Sequence, residues 1–367
     1  MFLPLIVLVF LPQLREVTQQ VDQAIREHRS NDAIATLDKT LQGNPQWQHG
    51  WWLLGSILYD AEKYEAAQPP LERLIQLDPK SGAGWALLGL CEFEMKDYGL
   101  ALQHLQRGDA FGVPPELDLV DVVRYHEALL LILDKRFDPA QVLLDQLTRK
   151  GLTTDEVAFA QGLVALRIPA LPASLEYMTE IIRRVGLAQR AIARAELTEA
   201  AAIYKELASK YPEIPNLHLS YAALLLQMRD RKASEAELRT EIKLNPKSVE
   251  ARLRLCALLE DDAPNAAQSL AAEALALDPA SFKAHFFLGK LLFKEGKFAE
   301  SARELELSRD LNPSGSAVRF ALIRAYNALG KKTEAKREAD AFKRLRELED
   351  RFRQSGQVPP STFDPGP

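Results

Sequence analysis

Residues 51–79 read WWLLGSILYDAEKYEAAQPPLERLIQLDP, and residues 85–113 read WALLGLCEFEMKDYGLALQHLQRGDAFGV. Laid over one another at an offset of 34, the two segments pair Trp51 with Trp85, Leu54 with Leu88, Gly55 with Gly89, Tyr64 with Tyr98, Ala67 with Ala101 and Leu71 with Leu105. Only the closing proline slips, from Pro79 to Pro114 rather than position 113. Within the first copy Trp51, Leu54, Gly55 and Leu58 fall at i, i+3, i+4 and i+7, one apolar stripe along a helix. That stripe is expected to pack on a second helix carrying Ala67 and Leu71. A repeat of this length changes what chain length means: 367 residues no longer imply two or three ordinary domains, because repeats stack on their neighbours and extend one core.

The period continues along the chain. Leu244-Asn245-Pro246, Leu277-Asp278-Pro279 and Leu311-Asn312-Pro313 recur at spacings of 33 and 34, with Leu77-Asp78-Pro79 and Asn44-Pro45 upstream. Asp or Asn before Pro stops a helix, since the pyrrolidine ring disfavours the helical conformation of the residue before it. Ser81, Ser248 and Ser281 follow their prolines by two places and are positioned to cap the next helix. Gly55, Gly89 and Gly289 are poor helix formers, so close backbone approach is expected there. Ala67, Ala101, Ala200 and Ala335 are the matching small residues. Leu288 is placed in the seam between paired helices.

This register resembles the tetratricopeptide repeat, whose pattern runs W-x2-L-G-x2-Y, A-x3-F and P over about 34 residues. The matching spans lie near 14–47, 48–81, 82–115, 181–214, 215–248, 249–281, 282–315 and 316–349, with a weaker one at 121–150. The resemblance implies an all-α fold, a right-handed superhelical solenoid of stacked antiparallel helix pairs, in a bacterial protein of about nine repeats. It also implies a non-catalytic scaffold that binds a peptide or partner protein on the first helices of its repeats.

The domain reading follows the register. Residues 14–150 form an N-terminal arm, 151–180 an irregular junction interrupted by Gly151, Pro169 and Pro172, and 181–353 a C-terminal arm ending in a charged capping helix. Ala158 to Leu166 reads as a helix without a partner. Residues 354–367, with Pro359, Pro360 and Pro365, form a disordered tail. Residues 1–13 are an apolar segment. Met1 to Pro12 is too short to span a bilayer, which takes roughly 20 residues. Two readings stay open: a degenerate export signal, which has no preceding Lys or Arg, or an apolar arm packed on the first helices. The first places the protein in the periplasm or outside the cell and the second in the cytoplasm; membrane contact is expected only through residues 1–12.

Forty-six Lys and Arg against fifty-one Asp and Glu give a net charge of -5, which speaks against a nucleic-acid binder that neutralises many phosphates. Cys91 and Cys256 lie in apolar helical contexts and read as buried free thiols. The six histidines are scattered over different repeats, and no metal, phosphate-loop or nucleophile motif is present. No cofactor and no catalytic residue is expected. An enzyme site inside residues 115–185, where the register fails, and an accessory subunit of an envelope enzyme or secretion machine are the competing readings.

Candidate ligand residues come from the stripe offset by one position from the buried one. In the N-terminal arm these are Trp52, Ser56, Tyr59 and Phe93, together with Ala86 and Leu90. In the C-terminal arm they are Arg252, Phe286, Lys290, Phe293, Arg324 and Asn327, with Cys256 and Leu259. Interleaved aromatics and cations in the second set suit an acidic peptide.

Overall fold

A computed structural model describes residues 4–172 and 178–355, with side chains over 13–172 and 178–351. Residues 1–3 of the apolar segment and residues 356–367 of the expected tail lie outside the described residues. Nineteen α-helices, and no strand, occur among the described residues. No helix among them is long and apolar enough to cross a membrane. The chain divides into two compact units, Met1–Asp134 and Lys135–Pro367.

The first unit holds α1 (Pro4–Arg26), α2 (Ser30–Gly43), α3 (Gln48–Asp60), α4 (Tyr64–Leu77), α5 (Gly82–Glu94), α6 (Tyr98–Phe111) and α7 (Val120–Leu133). The pairs α1/α2, α3/α4 and α5/α6 pack internally, each second helix also meets the next first helix, and α7 closes on α5 and α6. Three-residue turns join the helices of a pair and make them antiparallel neighbours. Residues 61–63 show the construction: Glu62 N–H donates to Tyr59 O at 2.8 Å and Lys63 N–H to Leu58 O at 2.9 Å, the crossed closure that satisfies a helix's last carbonyls. Leu37, Leu71 and Leu105, thirty-four apart, are each fully buried, and each contributes about 1.5–3 kcal/mol of transfer energy.

The second unit holds α8 (Phe137–Arg149), α9 (Asp155–Ala165), α10 (Thr179–Ala193), α11 (Leu197–Lys210), α12 (Leu217–Gln227), α13 (Arg231–Leu244), α14 (Val249–Leu259), α15 (Pro264–Leu277), α16 (Phe282–Lys294), α17 (Phe298–Leu311), α18 (Ser316–Ala328) and α19 (Lys332–Ser355). Helices α12/α13, α14/α15, α16/α17 and α18/α19 pair as the repeat requires. Ser81, Ser248 and Ser281 cap as expected, accepting from the N–H of Gly84, Ala251 and Ala284. A Cβ on Gly55, Gly89 or Gly289 would stand 2.5–2.9 Å from Leu71 or Leu105 or Leu305, so these glycines do admit the second helix. Ala67, Ala101, Ala200 and Ala335 are buried opposite.

Three expectations change. The pair expected over 121–150 is divided, because α7 packs in the first unit while α8 packs on α9 and α10 in the second. Helix α9 has a partner after all. It crosses α10 so closely that a Cβ on Gly162 would lie 2.0 Å from Ile182 O, and one on Gly186 would lie 1.7 Å from Ala158 O. Leu288 is only partly buried against the core of the second unit, where Leu291, Leu305 and Leu322 are the buried residues.

A clasp recurs at the head of the first helices. Trp51 and Trp85 each donate the indole N–H to a carbonyl six residues back, Pro45 O and Pro79 O, both at 3.0 Å. In the second unit His218 and His285 bond Pro212 O and Pro279 O through Nε2 at 3.1 Å, and Arg319 donates to Pro313 O at 3.0 Å. Each of these last three also grips a glutamate nineteen residues on, Glu237, Glu304 and Glu338, from the paired second helix. Two of the six histidines, His218 and His285, therefore share one structural position with the tryptophans.

Candidate functional site

Successive first helices meet along one face of the second unit. Each buries one side against its own partner and another against the next repeat, so the exposed strip is narrow. This is why several expected ligand residues are core. Phe286 is 3% exposed, and Cys256 and Leu259 are buried with it. Arg252 is 9% exposed; it donates to Glu273 Oε2 at 2.9 Å and to Ser248 O at 3.0 Å, tying α14 to α15. Both cysteines are free and buried, and burial pushes their thiols up to about 12.

The remaining candidates come together on α16 and α18. Lys290 Nζ lies 5.5 Å from the centroid of Phe286 and 5.7 Å from that of Phe287, and it bonds Glu260 Oε2 at 3.0 Å. Lys294 bonds Glu260 at 2.9 Å and Asp261 at 2.7 Å. The Arg324 guanidinium stacks over Phe293 at 4.6 Å, is exposed, and has no carboxylate partner among the described residues. Asn327 is exposed one turn further along α18. Two lysines thus share two carboxylates, and the one arginine beside them rests on the half-buried Phe293 ring alone. Desolvation, which lowers the Lys294 ammonium, is outweighed by its bonds to Asp261 and Glu260, and the result is raised.

In the first unit the expected residues mostly pack. Trp52, Tyr59 and Phe93 lie partly buried against the core, with Tyr59 edge-on to Tyr64 at 5.5 Å and Phe93 to His126 at 4.6 Å. Burial, then the nearby Glu94 charge, pushes the Tyr59 hydroxyl up to about 12. Ser56 Oγ bonds Leu53 O at 3.0 Å. Ala86 and Leu90 are buried.

A cavity of about 250 Å³ with no signal in the sequence lies in the second unit, walled by α8, α9, α10, α12 and α14. At one side an ion network ties these helices together. Glu250 takes Arg254 at 3.0 Å, Arg167 at 3.4 Å and Lys283 at 3.5 Å, while Asp138 takes Lys283 at 3.0 Å and Arg167 at 3.4 Å. Burial alone would raise the Glu250 carboxyl, but Arg254, Lys283 and Arg167 together hold it at about 2. No group of three or more potential metal-binding side chains occurs among the described residues.

The tetratricopeptide repeat family model matches residues 53–112, 254–308 and 288–348, so the chain carries tetratricopeptide repeats in both units. Among solved structures it is similar to MamA, at 17% identity and TM-score 0.41 over 45% of this chain and 97% of that one. MamA from residue 41 onward of Desulfovibrio magneticus RS-1 aligns at 21% identity and TM-score 0.39 over 46% and 94%. The Cut9–Hcn1 hetero-tetramer of the APC/C aligns at 12% identity and TM-score 0.41 over 91% and 87%. No curated protein matches the chain.

Proposed function

We propose that the protein is a binding scaffold, not a catalyst, and that it takes an acidic peptide segment of a partner protein along α14, α16 and α18. One observation carries the reading: Arg324 on α18 is exposed, lies over Phe293 of α16, and is free of any carboxylate among the described residues, while α16 also carries Lys290 and Lys294. A guanidinium so placed is pre-oriented for a carboxylate and loses little freedom on binding one. Lys290 and Lys294 can exchange Glu260 and Asp261 for a ligand's acids. The repeat supplies the platform, since neighbouring first helices present their side chains at fixed spacing. Phe293 and Phe320, the latter 52% exposed, give apolar contact between the charges.

Selection of a random displayed-peptide library on the full chain tests this. Asp- and Glu-rich peptides should be enriched, and the folded Lys290→Glu, Arg324→Glu variant should no longer bind them. Binding should weaken with salt, as exposed charges are screened over roughly 8 Å at physiological ionic strength. Enrichment of neutral or basic peptides, or unchanged binding by the folded double variant, would refute the assignment.

A further inference from the structure

The cavity of the second unit has the opposite chemical character from the face on α16 and α18. Asp145 lines it, and the amides around Asp145 have turned their N–H groups into the protein. Gln141 Nε2 donates to Asp145 Oδ1 at 2.6 Å. Behind it, the fully buried Gln161 donates to the same oxygen at 3.4 Å and to Thr148 Oγ1 at 3.1 Å. A carboxylate only accepts, so these two amide orientations are forced. Gln189, across the cavity, donates to the Tyr204 hydroxyl.

What is left over is a set of acceptors. Among the described residues no donor reaches Asp145 Oδ2, Gln141 Oε1 or Gln189 Oε1, and Gln161 Oε1 is buried without a partner. The arginines that line the same cavity, Arg167 and Arg254, are already engaged by Asp138 and Glu250, and Arg149 donates only to the backbone oxygen of Asp145. Burial raises the Asp145 carboxyl against the lowering effects of Gln141, Arg149 and Gln161. Gln141, Asp145 and Gln189 are each only partly buried, so their free oxygens are open to an entering donor. The other walls, Val164, Ile192, Leu219 and Leu224, are apolar.

We infer that this cavity receives one alkylammonium or alkylguanidinium group, its head on Asp145 Oδ2 and the amide oxygens of Gln141 and Gln189, its stem along Ile192, Leu219 and Leu224. The size fits one side chain: 250 Å³ is the space of about eight waters at about 30 Å³ each, below the roughly 300–1,000 Å³ of sites for drug-sized ligands. Lysine and arginine bury their stems on apolar surface while the head finds polar partners, and the walls offer both. A guanidinium already rests at the edge, where Arg167 lies over the Phe137 ring at 5.4 Å. The group has two sources, a Lys or Arg side chain of a bound chain or a free small amine.

Titration of the full chain with N-acetyl-lysine methylamide, the arginine and norleucine counterparts, and butylamine, followed by NMR, tests the site. The lysine or arginine probe should bind saturably and the norleucine probe at least roughly tenfold more weakly, a difference of about 1.4 kcal/mol. Asp145→Asn should lose a similar factor for the cationic probe. Butylamine binding as tightly as the lysine probe assigns the site to a free amine, and weaker binding assigns it to a side chain. The Lys290→Glu, Arg324→Glu variant should bind these probes normally, so this site and the acidic-peptide face stand or fall separately. Equal binding of the norleucine and lysine probes to wild type, no saturable binding of any cationic probe, or unchanged affinity in folded Asp145→Asn would each overturn the inference.

Discussion

The two units hold their helix pairs with the same clasp and different chemistry. In the first, Trp51 and Trp85 reach back to Pro45 and Pro79, and the Trp85 indole also meets His104 and Arg107 of α6. In the second, His218, His285 and Arg319 make the same reach and add a glutamate from the paired helix. What the position demands is an N–H donor on a long planar side chain. A tryptophan there makes the clasp indifferent to pH, and a histidine makes it charge-dependent.

Because repeats couple mainly to neighbours, damage to one unit should stay in it, and the largest damage tests this best. Gly186→Ala should destabilise the second unit by more than about 3 kcal/mol, since the new methyl meets the Ala158 carbonyl of a backbone that cannot retreat. Hydrogen exchange should accelerate through α9 and α10 and remain slow in α3 to α6. Gly99 is its counterpart in the first unit: a Cβ there meets nothing within 4 Å, so Gly99→Ala should stabilise by up to about 1 kcal/mol.

Next in size are cavities. Leu322→Ala and Leu71→Ala remove fully buried side chains and should each cost about 2–5 kcal/mol. Exchange protection should fall around α17 to α19 for the first and around α3 to α5 for the second. Protection lost equally in both units by either variant would contradict local coupling.

Acid and base should then pull the units apart. The Glu237 hydrogen bond, against a desolvation penalty, raises the His218 imidazolium in the folded state. Its contribution is full below the ordinary histidine value of about 6.5 and is lost as pH rises through the folded value. In the first unit, burial beside Phe93 lowers His126 despite the Val122 carbonyl. That contribution is present above about 6.5 and is lost as pH falls through the lower folded value. Across about pH 5 to 8, exchange protection of α12 should therefore decline with rising pH while that of α7 grows. His218→Gln should flatten the first trend and leave the second.

The smallest effect concerns the turns. Lys96 adopts φ 66° between α5 and α6, a left-handed conformation that costs a side-chain-bearing residue. Lys96→Gly should stabilise the first unit by no more than about 1 kcal/mol, the relief being offset by the glycine's freedom in the unfolded chain. A thermal scan that shows a clear loss would mean the lysine side chain contributes more than its backbone costs.

How much of this the sequence carried follows from what repeats encode. Serine caps, small residues at helix crossings and the positions of the pairs are local or periodic, and Ser81, Gly89 and Ala101 announce them directly. The partner of α9 is hidden in the sequence because Gly162 lies outside the 34-residue register and Gly186 off its glycine position, and the two mark a crossing only when both helices are known. The expected groove is too wide, because the stripe of one helix places Arg252 and Phe286 in it, whereas their burial comes from a second neighbour. His218 and His285 were legible only by aligning their positions with Trp51 and Trp85, where the shared feature is a donor and not a residue type. The Asp145 cavity had no sequence signal, since its acceptors come from helices that the period does not relate.

If binding belongs to the second unit, matched charge reversals on the two units will separate it from the first. Peptides selected on the wild-type chain should be measured against Lys290→Glu with Arg324→Glu, and against Asp60→Lys with Glu94→Lys, which reverses two exposed carboxylates on the first unit. At least roughly a hundredfold loss, about 2.8 kcal/mol, is expected for the first pair and unchanged affinity for the second. Loss confined to the first-unit variant, with both proteins folded, would contradict it.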